Sequence, residues 1–239
     1  MKCSSGVGFD PFINGKRLNF NVMGLDRGVL IMSDRETNST WEHLTGKAIN
    51  GPLKGTRLPI VPLPQLSWQE WVNLHPETLV LDPKTNFAHR YRKVQIGQAH
   101  PSESVFGDDR LAPNSLVVGV EKNNMYAGFS LAALKLAGGV VNVEIGGHPV
   151  VVVYDENSNL GMAYSSYLSG RLLSFKSAIR NGSLVLLDST GNTWSVDGLA
   201  LSGLLEGSRL KFIPSFVTEW YGWSAYHPDT LLFDDFPAQ

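Results

Sequence analysis

Short apolar runs, interrupted every few residues by glycine, asparagine or proline, make up most of the chain. Val29 to Ser33, Ser115 to Glu121, Met125 to Phe129, Val140 to Ile145 and Pro149 to Tyr154 read as strands, rich in β-branched and aromatic side chains. Gly6 to Phe9 and Arg17 to Met23 read as two more, around a tight turn at Asn14-Gly15, where Asn-Gly tolerates positive φ. Asn123-Asn124 and Gly146-Gly147 predict further turns. Asp34 to Ser39 is rich in side chains that bond their own backbone and reads as another. Helical signals are few. Ser67, with Glu70 three residues on, has the pattern of a capping box and predicts a helix from Trp68 to Leu74. That helix must stop near His75, because Pro76 disfavours helical geometry at the residue before it. Ser130 to Ala137 predicts a second short helix, stopped by Gly138-Gly139. Residues 82–114 have no clear period and read as a long loop.

The same pattern is written twice. Thr37, Trp41, Ala48, Gly51, Gly55, Arg57-Leu58, Pro62, Trp68, Trp71 and His75-Pro76-Glu77-Thr78 return as Thr190, Trp194, Ala200, Gly203, Gly207, Arg209-Leu210, Pro214, Trp220, Trp223 and His227-Pro228-Asp229-Thr230. From Gly51/Gly203 onward the offset is constant. An internal duplication is therefore expected, with repeat one at about 3–81, a connector at 82–147 and repeat two at about 148–233. In the second copy Thr218 or Ser215 would cap the Trp-bearing helix and Pro228 would end it. The expected fold is mainly β (α+β): one body with pseudo-two-fold symmetry, burying sheet edges between the copies, and one short Trp-bearing helix per repeat.

Composition narrows the class. With 239 residues, 43% hydrophobic and 18% charged, the chain can bury a substantial core. A formal charge of −2 argues against nucleic-acid binding, and the apolar runs are too short to span a bilayer as helices. Cys3 is the single cysteine, so neither an internal disulfide nor a multi-thiolate zinc site is possible.

The doubled Trp-x-x-Trp-x-x-x-His-Pro motif could form an aromatic platform with a histidine. Scaffold residues survive duplication in both copies, however, so Trp71 and Trp223 are expected to be core anchors. Arg57 and Arg209 are expected to bond backbone carbonyls or a carboxylate. Features present in only one copy point better to function. Arg35 and Glu36 have no echo in Asp188-Ser189-Thr190, and neither His43 nor Cys3 has a counterpart. Asp34, Arg35 and Glu36 are candidate catalytic residues at a cleft between repeats. Cys3 and His43 are candidate ligands for a soft metal such as copper, or the makings of a reactive thiolate. If the passage after Trp41 is extended, His43 shares its face, and Cys3, Arg35 and His43 are expected to converge on one partly exposed pocket. The nucleophile-elbow, phosphate-loop, His-Glu-x-x-His and dinucleotide signatures are missing.

Cys3, Phe9-Asp10-Pro11, the run from Asp34-Arg35-Glu36-Thr37 through Gly51, Trp68-x-x-Trp71 and His75-Pro76-x-Thr78 resemble the prokaryotic family known as domain of unknown function 3179. The likeness runs on into Thr190-Gly191-x-Thr193-Trp194 and His227-Pro228-Asp229-Thr230. The family is commonly exported, so the resemblance implies a periplasmic or other extracytoplasmic location, which would require a removed leader, with a cytoplasmic one the alternative; it brings no settled activity. Family members usually open with Cys-x-x-Cys, and Cys3 matches the second of these; the first would precede Met1. That puts a two-thiolate role in question. The functions left open are a ligand-binding or structural domain, a copper or thiol-redox protein, and an enzyme with its site between the repeats.

Overall fold

Asn14 and Gly15 adopt φ of 49° and 75°, as a tight hairpin turn requires. A computed structural model of the chain describes residues 6–82, 84–90 and 108–236. The first half comprises β1 (Gly8–Phe9), β2 (Phe12–Ile13), β3 (Lys16–Arg17), β4 (Phe20–Asp26), β5 (Val29–Asp34), β6 (Thr40–Glu42), β7 (Ala48–Asn50), β8 (Ile60–Val61) and α1 (Trp68–Leu74). The Asn-Gly turn joins β2 to β3 rather than the longer strands expected around it. Pro11 has no N–H to give a ladder, so the strand breaks there, and β1 pairs with β8 instead.

The second half holds β9 (Leu116–Lys122), β10 (Met125–Ser130), α2 (Leu131–Leu136), β11 (Val140–Ile145), β12 (His148–Asp155) and β13 (Leu160–Ser165). β14 (Tyr167–Leu168), β15 (Arg171–Leu172), β16 (Phe175–Arg180), β17 (Ser183–Asp188), β18 (Thr193–Ser195) and β19 (Ala200–Ser202) follow. The chain closes with β20 (Phe212–Ile213), β21 (Ser215–Glu219), α3 (Trp220–Tyr226) and β22 (Leu231–Leu232). The protein is mainly β, as its sequence pattern implies.

Two four-stranded antiparallel sheets have the same strand order, β4-β5-β6-β7 and β16-β17-β18-β19. Both open on a two-residue turn with positive φ, Arg27-Gly28 in one and Asn181-Gly182 in the other. Trp41 pairs with Ala48 and Trp194 with Ala200, each beside a bulge. In both sheets a phenylalanine ring meets the tryptophan edge-on, Phe20 on Trp41 and Phe175 on Trp194.

Within the segment expected to connect the halves, residues 116–145 pack into the core, while 83 and 91–107 lie outside the described residues. Val118, Val120, Phe129, Leu134, Val143 and Ile145 pack with Val150, Val152 and Val217 in the largest apolar cluster. The reason is visible in the pairing: β9 is central in the sheet β21-β9-β10-β22, and β11 opens the sheet β11-β12-β13-β20.

α3 ties the halves together. Trp220, Tyr221 and Trp223 pack against Val29 and Leu44 of the first sheet and against Val117 and Phe216. Gly119 makes room for this, since a Cβ there would lie 2.3 Å from the Trp223 ring. Neither Thr218 nor Ser215 caps α3. Both belong to β21, whose pairing with β9 takes the chain in extended form up to Glu219, the N-cap. α1 does have its expected cap, Ser67 Oγ accepting from Glu70 N at 3.3 Å.

Candidate functional site

The Asp34 turn is a closed hydrogen-bond network. Its carboxylate accepts from Trp41 Nε1 at 2.8 Å, from Ser39 N at 3.1 Å and from the Thr37 hydroxyl at 2.8 Å. Burial works against the charge, yet these bonds hold the carboxyl below its ordinary range. Asp188 does the same, accepting from Trp194 Nε1 at 2.9 Å, Asn192 Nδ2 at 2.8 Å and the Thr190 hydroxyl at 2.9 Å. Exposed Arg35 donates to Asn21 Oδ1 at 2.8 and 3.0 Å. Glu36, also exposed, accepts from the Asn19 N–H and side-chain amide at 2.8 Å. None of the three lines either of the two cavities beside Arg57.

His43 follows β6 in a turn, not in extended chain, and its N–H donates to Leu30 O at 3.2 Å. The β5–β6 register pairs Ser33 with Thr40 and Ile31 with Glu42. Arg35 and His43 thus lie at opposite ends of the hairpin, about 15 Å apart at the rise of a strand, and do not share a pocket. His43 Nδ1 is buried without a hydrogen-bond partner, and burial lowers the pKa of the ring. Cys3 lies outside the described residues. Among those residues, no group of three or more His, Cys, Asp or Glu side chains could hold a metal ion.

What the fold does assemble is a cavity of about 370 Å³, at the His43 end of the first sheet, where α3 ends. The sheet contributes Arg27, from the β4–β5 turn, and Glu42, Thr45, Lys47 and Arg57. Tyr226 and His227, from the end of α3, and Tyr126, from β10, form the other wall.

His227 is placed there by the Trp-x-x-x-His-Pro-x-Thr motif. Its N–H donates to Trp223 O at 3.0 Å, and Trp223 Nε1 reaches forward to the Thr230 hydroxyl at 2.9 Å. Trp71 and Thr78 repeat that clasp at 2.9 Å, and the backbone angles of His75 and His227 agree within a few degrees. The surroundings differ. Trp223 is 1% exposed, whereas Trp71 is only half-buried and His75 is exposed. Trp223 is therefore the core anchor expected of it, and Trp71 is not. His227 is 5% exposed, its ring stacked 4.0 Å from Tyr126 and 4.3 Å from Trp223. Burial, helped by the Arg57 charge, pushes its pKa down to about 3, so the imidazole is neutral.

The cationic side chains are not equivalent. Arg57 donates to Thr45 O at 2.7 Å and grips both oxygens of Glu121. Arg27 donates to Asp26 and, at 2.7 Å, to Ala225 O, with its guanidinium 4.4 Å over the Tyr226 ring. Glu42 accepts the Thr45 hydroxyl at 2.6 Å and faces Arg27 at 3.8 Å. Lys47 is exposed, and its ammonium has no ion-pair partner among the described residues.

Several lining positions differ between the two sheets, as do positions away from the cavity such as Arg35 and Glu36. Arg27 stands where the second sheet has Asn181, Glu42 where it has Ser195, and Lys47 where it has Leu199; the bridges Lys47–Arg57 and Leu199–Arg209 secure the last pairing. Tyr226 ends α3 where Leu74 ends α1. Arginine stays, as Arg57 and Arg209, and both keep a carboxylate partner, Glu121 and Asp197. Reading the sequence for one-sided features selected Arg35 and Glu36 and passed over Arg27, Glu42 and Lys47. The same rule, applied to the hairpin turn and to the residues flanking the bulge, could have found them.

No curated protein and no solved structure matches the chain. A family model covers nearly all of it, from residue 2 to residue 230, under the description protein of unknown function (DUF3179). The chain belongs to that family.

Proposed function

We propose that this is a ligand-binding domain and that a small polar molecule occupies the cavity between the first sheet and the end of α3. One observation carries the reading. Two sheets alike in strand order and tryptophan contacts differ at Arg27, Glu42 and Lys47 of this cavity, where the second sheet has the uncharged Asn181, Ser195 and Leu199. Packing alone gives no reason for Lys47, because Leu199 fills the equivalent position on the same framework. The size suits the role: about 370 Å³ is at the lower end of ligand pockets.

The test uses the second sheet's own residue. A ligand that binds only the folded state raises the melting temperature with its concentration. Thermal unfolding against a panel of small polar compounds is expected to give hits with the wild-type protein that weaken or vanish with Lys47→Leu. A panel without a stabilising compound, or hits that stabilise both proteins equally, would remove this cavity as the site.

A further inference from the structure

The groups lining the cavity divide into those already satisfied and those not, and this division selects a ligand class. Arg57 has Nε on a backbone carbonyl and both terminal nitrogens on Glu121. Arg27 is divided among Asp26, Ala225 O and the Tyr226 ring. Two of the three cations in the wall therefore carry their counter-charges with them, Arg27 tying the sheet to α3 and Arg57 tying it to β9. Glu42, although paired with Arg27 at 3.8 Å, lines the same space, so a second negative charge on a ligand would lie beside an acidic side chain with only Lys47 free to balance it. Two groups are left over. One is the Lys47 ammonium. The other is the His227 imidazole, packed between Tyr126 and Trp223 and lining the cavity, with no hydrogen bond to its ring among the described residues. A ligand hydroxyl reaching the ring would exchange a bond to water for one to the protein, at a modest net gain.

We infer that the cavity takes a small organic monocarboxylate that also carries a neutral hydrogen-bonding group, such as a hydroxyl. Its carboxylate pairs with Lys47 and its hydroxyl hydrogen-bonds the imidazole of His227, with the rings of Tyr126 and Tyr226 flanking its carbon skeleton. Dianions and phosphate esters are disfavoured by Glu42, and neutral sugars leave Lys47 unpaired. This inference rests on the ligand-binding reading above and deepens it.

Calorimetric titration of the full chain with lactate, glycerate and mandelate, against malate, glycerol phosphate and glucose, tests it. At least one hydroxymonocarboxylate is expected to bind at least tenfold more tightly than all three of the comparison compounds. Lys47→Leu is expected to weaken that binding tenfold or more. His227→Asn is expected to lower affinity for the hydroxy acid but not for the matching acid without its hydroxyl, propionate in place of lactate. If His227→Asn does not fold, the propionate–lactate comparison on wild-type protein reads the same contact, and equal affinities there overturn it. Binding of malate, glycerol phosphate or glucose in preference, still abolished by Lys47→Leu, overturns the ligand class and leaves the cavity as a site. Binding of none of the six overturns the class. Binding indifferent to Lys47→Leu overturns both the class and the site.

Discussion

Asp34 and Asp188 are the most heavily bonded carboxylates in their sheets, and each holds an indole N–H together with the hydroxyl and backbone groups of its own turn. Removing such an acceptor leaves several buried donors unsatisfied. Asp34→Ala and Asp188→Ala are each expected to cost about 3 kcal/mol or more, read as matching falls in urea midpoint. A large loss at one and none at the other would show that the turns are not equivalent. His227 has a different dependence. Its folded pKa lies near 3, while an unfolded histidine takes up a proton near pH 6.5. Between those values the unfolded chain holds the extra proton, so stability falls as the pH drops below about 6.5. At pH 5 the loss from this one group is on the order of 2 kcal/mol. His43, also lowered by burial, adds to the slope in the same window. His227→Gln is therefore expected to reduce the loss between pH 7 and pH 5 without abolishing it. An unchanged loss in the variant would mean that His227 is protonated in the folded protein.

At the scale of the element, the Trp-x-x-x-His-Pro-x-Thr clasp shows one local structure placed in two environments. Trp71 and Trp223 make the same hydrogen bond at the same distance, seven residues forward, because the motif closes on itself within one segment. Their burial differs because of what lies opposite. Gly119, Phe216 and Val117 accommodate Trp223, which is almost wholly enclosed, while Trp71 keeps a solvent-facing side. Trp223→Ala is expected to cost about 3–5 kcal/mol. Trp71→Ala is expected to cost roughly half of that, in proportion to the area removed from water. Equal shifts in midpoint would show that the clasp, rather than the burial, supplies the stability.

Across the whole molecule, α3 is the tie between the halves. Its inner face covers Val29 and Leu44, Tyr226 donates through its hydroxyl to Asp26 O, and Arg27 reaches back to Ala225 O. Residues 108–239 made alone would leave Trp220, Tyr221 and Trp223 without those partners. That fragment is expected to bind a hydrophobic dye and to unfold without a sharp transition, as loosely packed states do. Cooperative unfolding at the full chain's midpoint would mean that the second half is independent of the first. The cavity depends on the same docking, since its two walls belong to different halves.

Much of this was written in short-range pattern. The helices Trp68–Leu74 and Leu131–Leu136, the turn at Asn123-Asn124, the hairpin over Gly146-Gly147 and the Asp34 turn all follow from spacing, capping and backbone tolerance within a few residues. The mainly β class follows from the summed pattern; the sheets around Trp41 and Trp194 share a strand order, and the Trp71–Thr78 and Trp223–Thr230 bonds share a length. Tertiary contact decided the rest. Pairing with β9 drew Ser215 and Thr218 into a strand and away from a capping role, and placed Val118 and Val120 in the core. The turn after Glu42 turned His43 off the face it would share with Trp41 in an extended strand. The candidate site was the least legible part. Arg27, Lys47, Tyr126 and His227 are far apart in the chain, and each is ordinary where it stands. Tyr126 and Trp223 of its own half cover the imidazole, and the docking of α3 on the first sheet brings it to the same cavity as Lys47; no local pattern encodes that meeting.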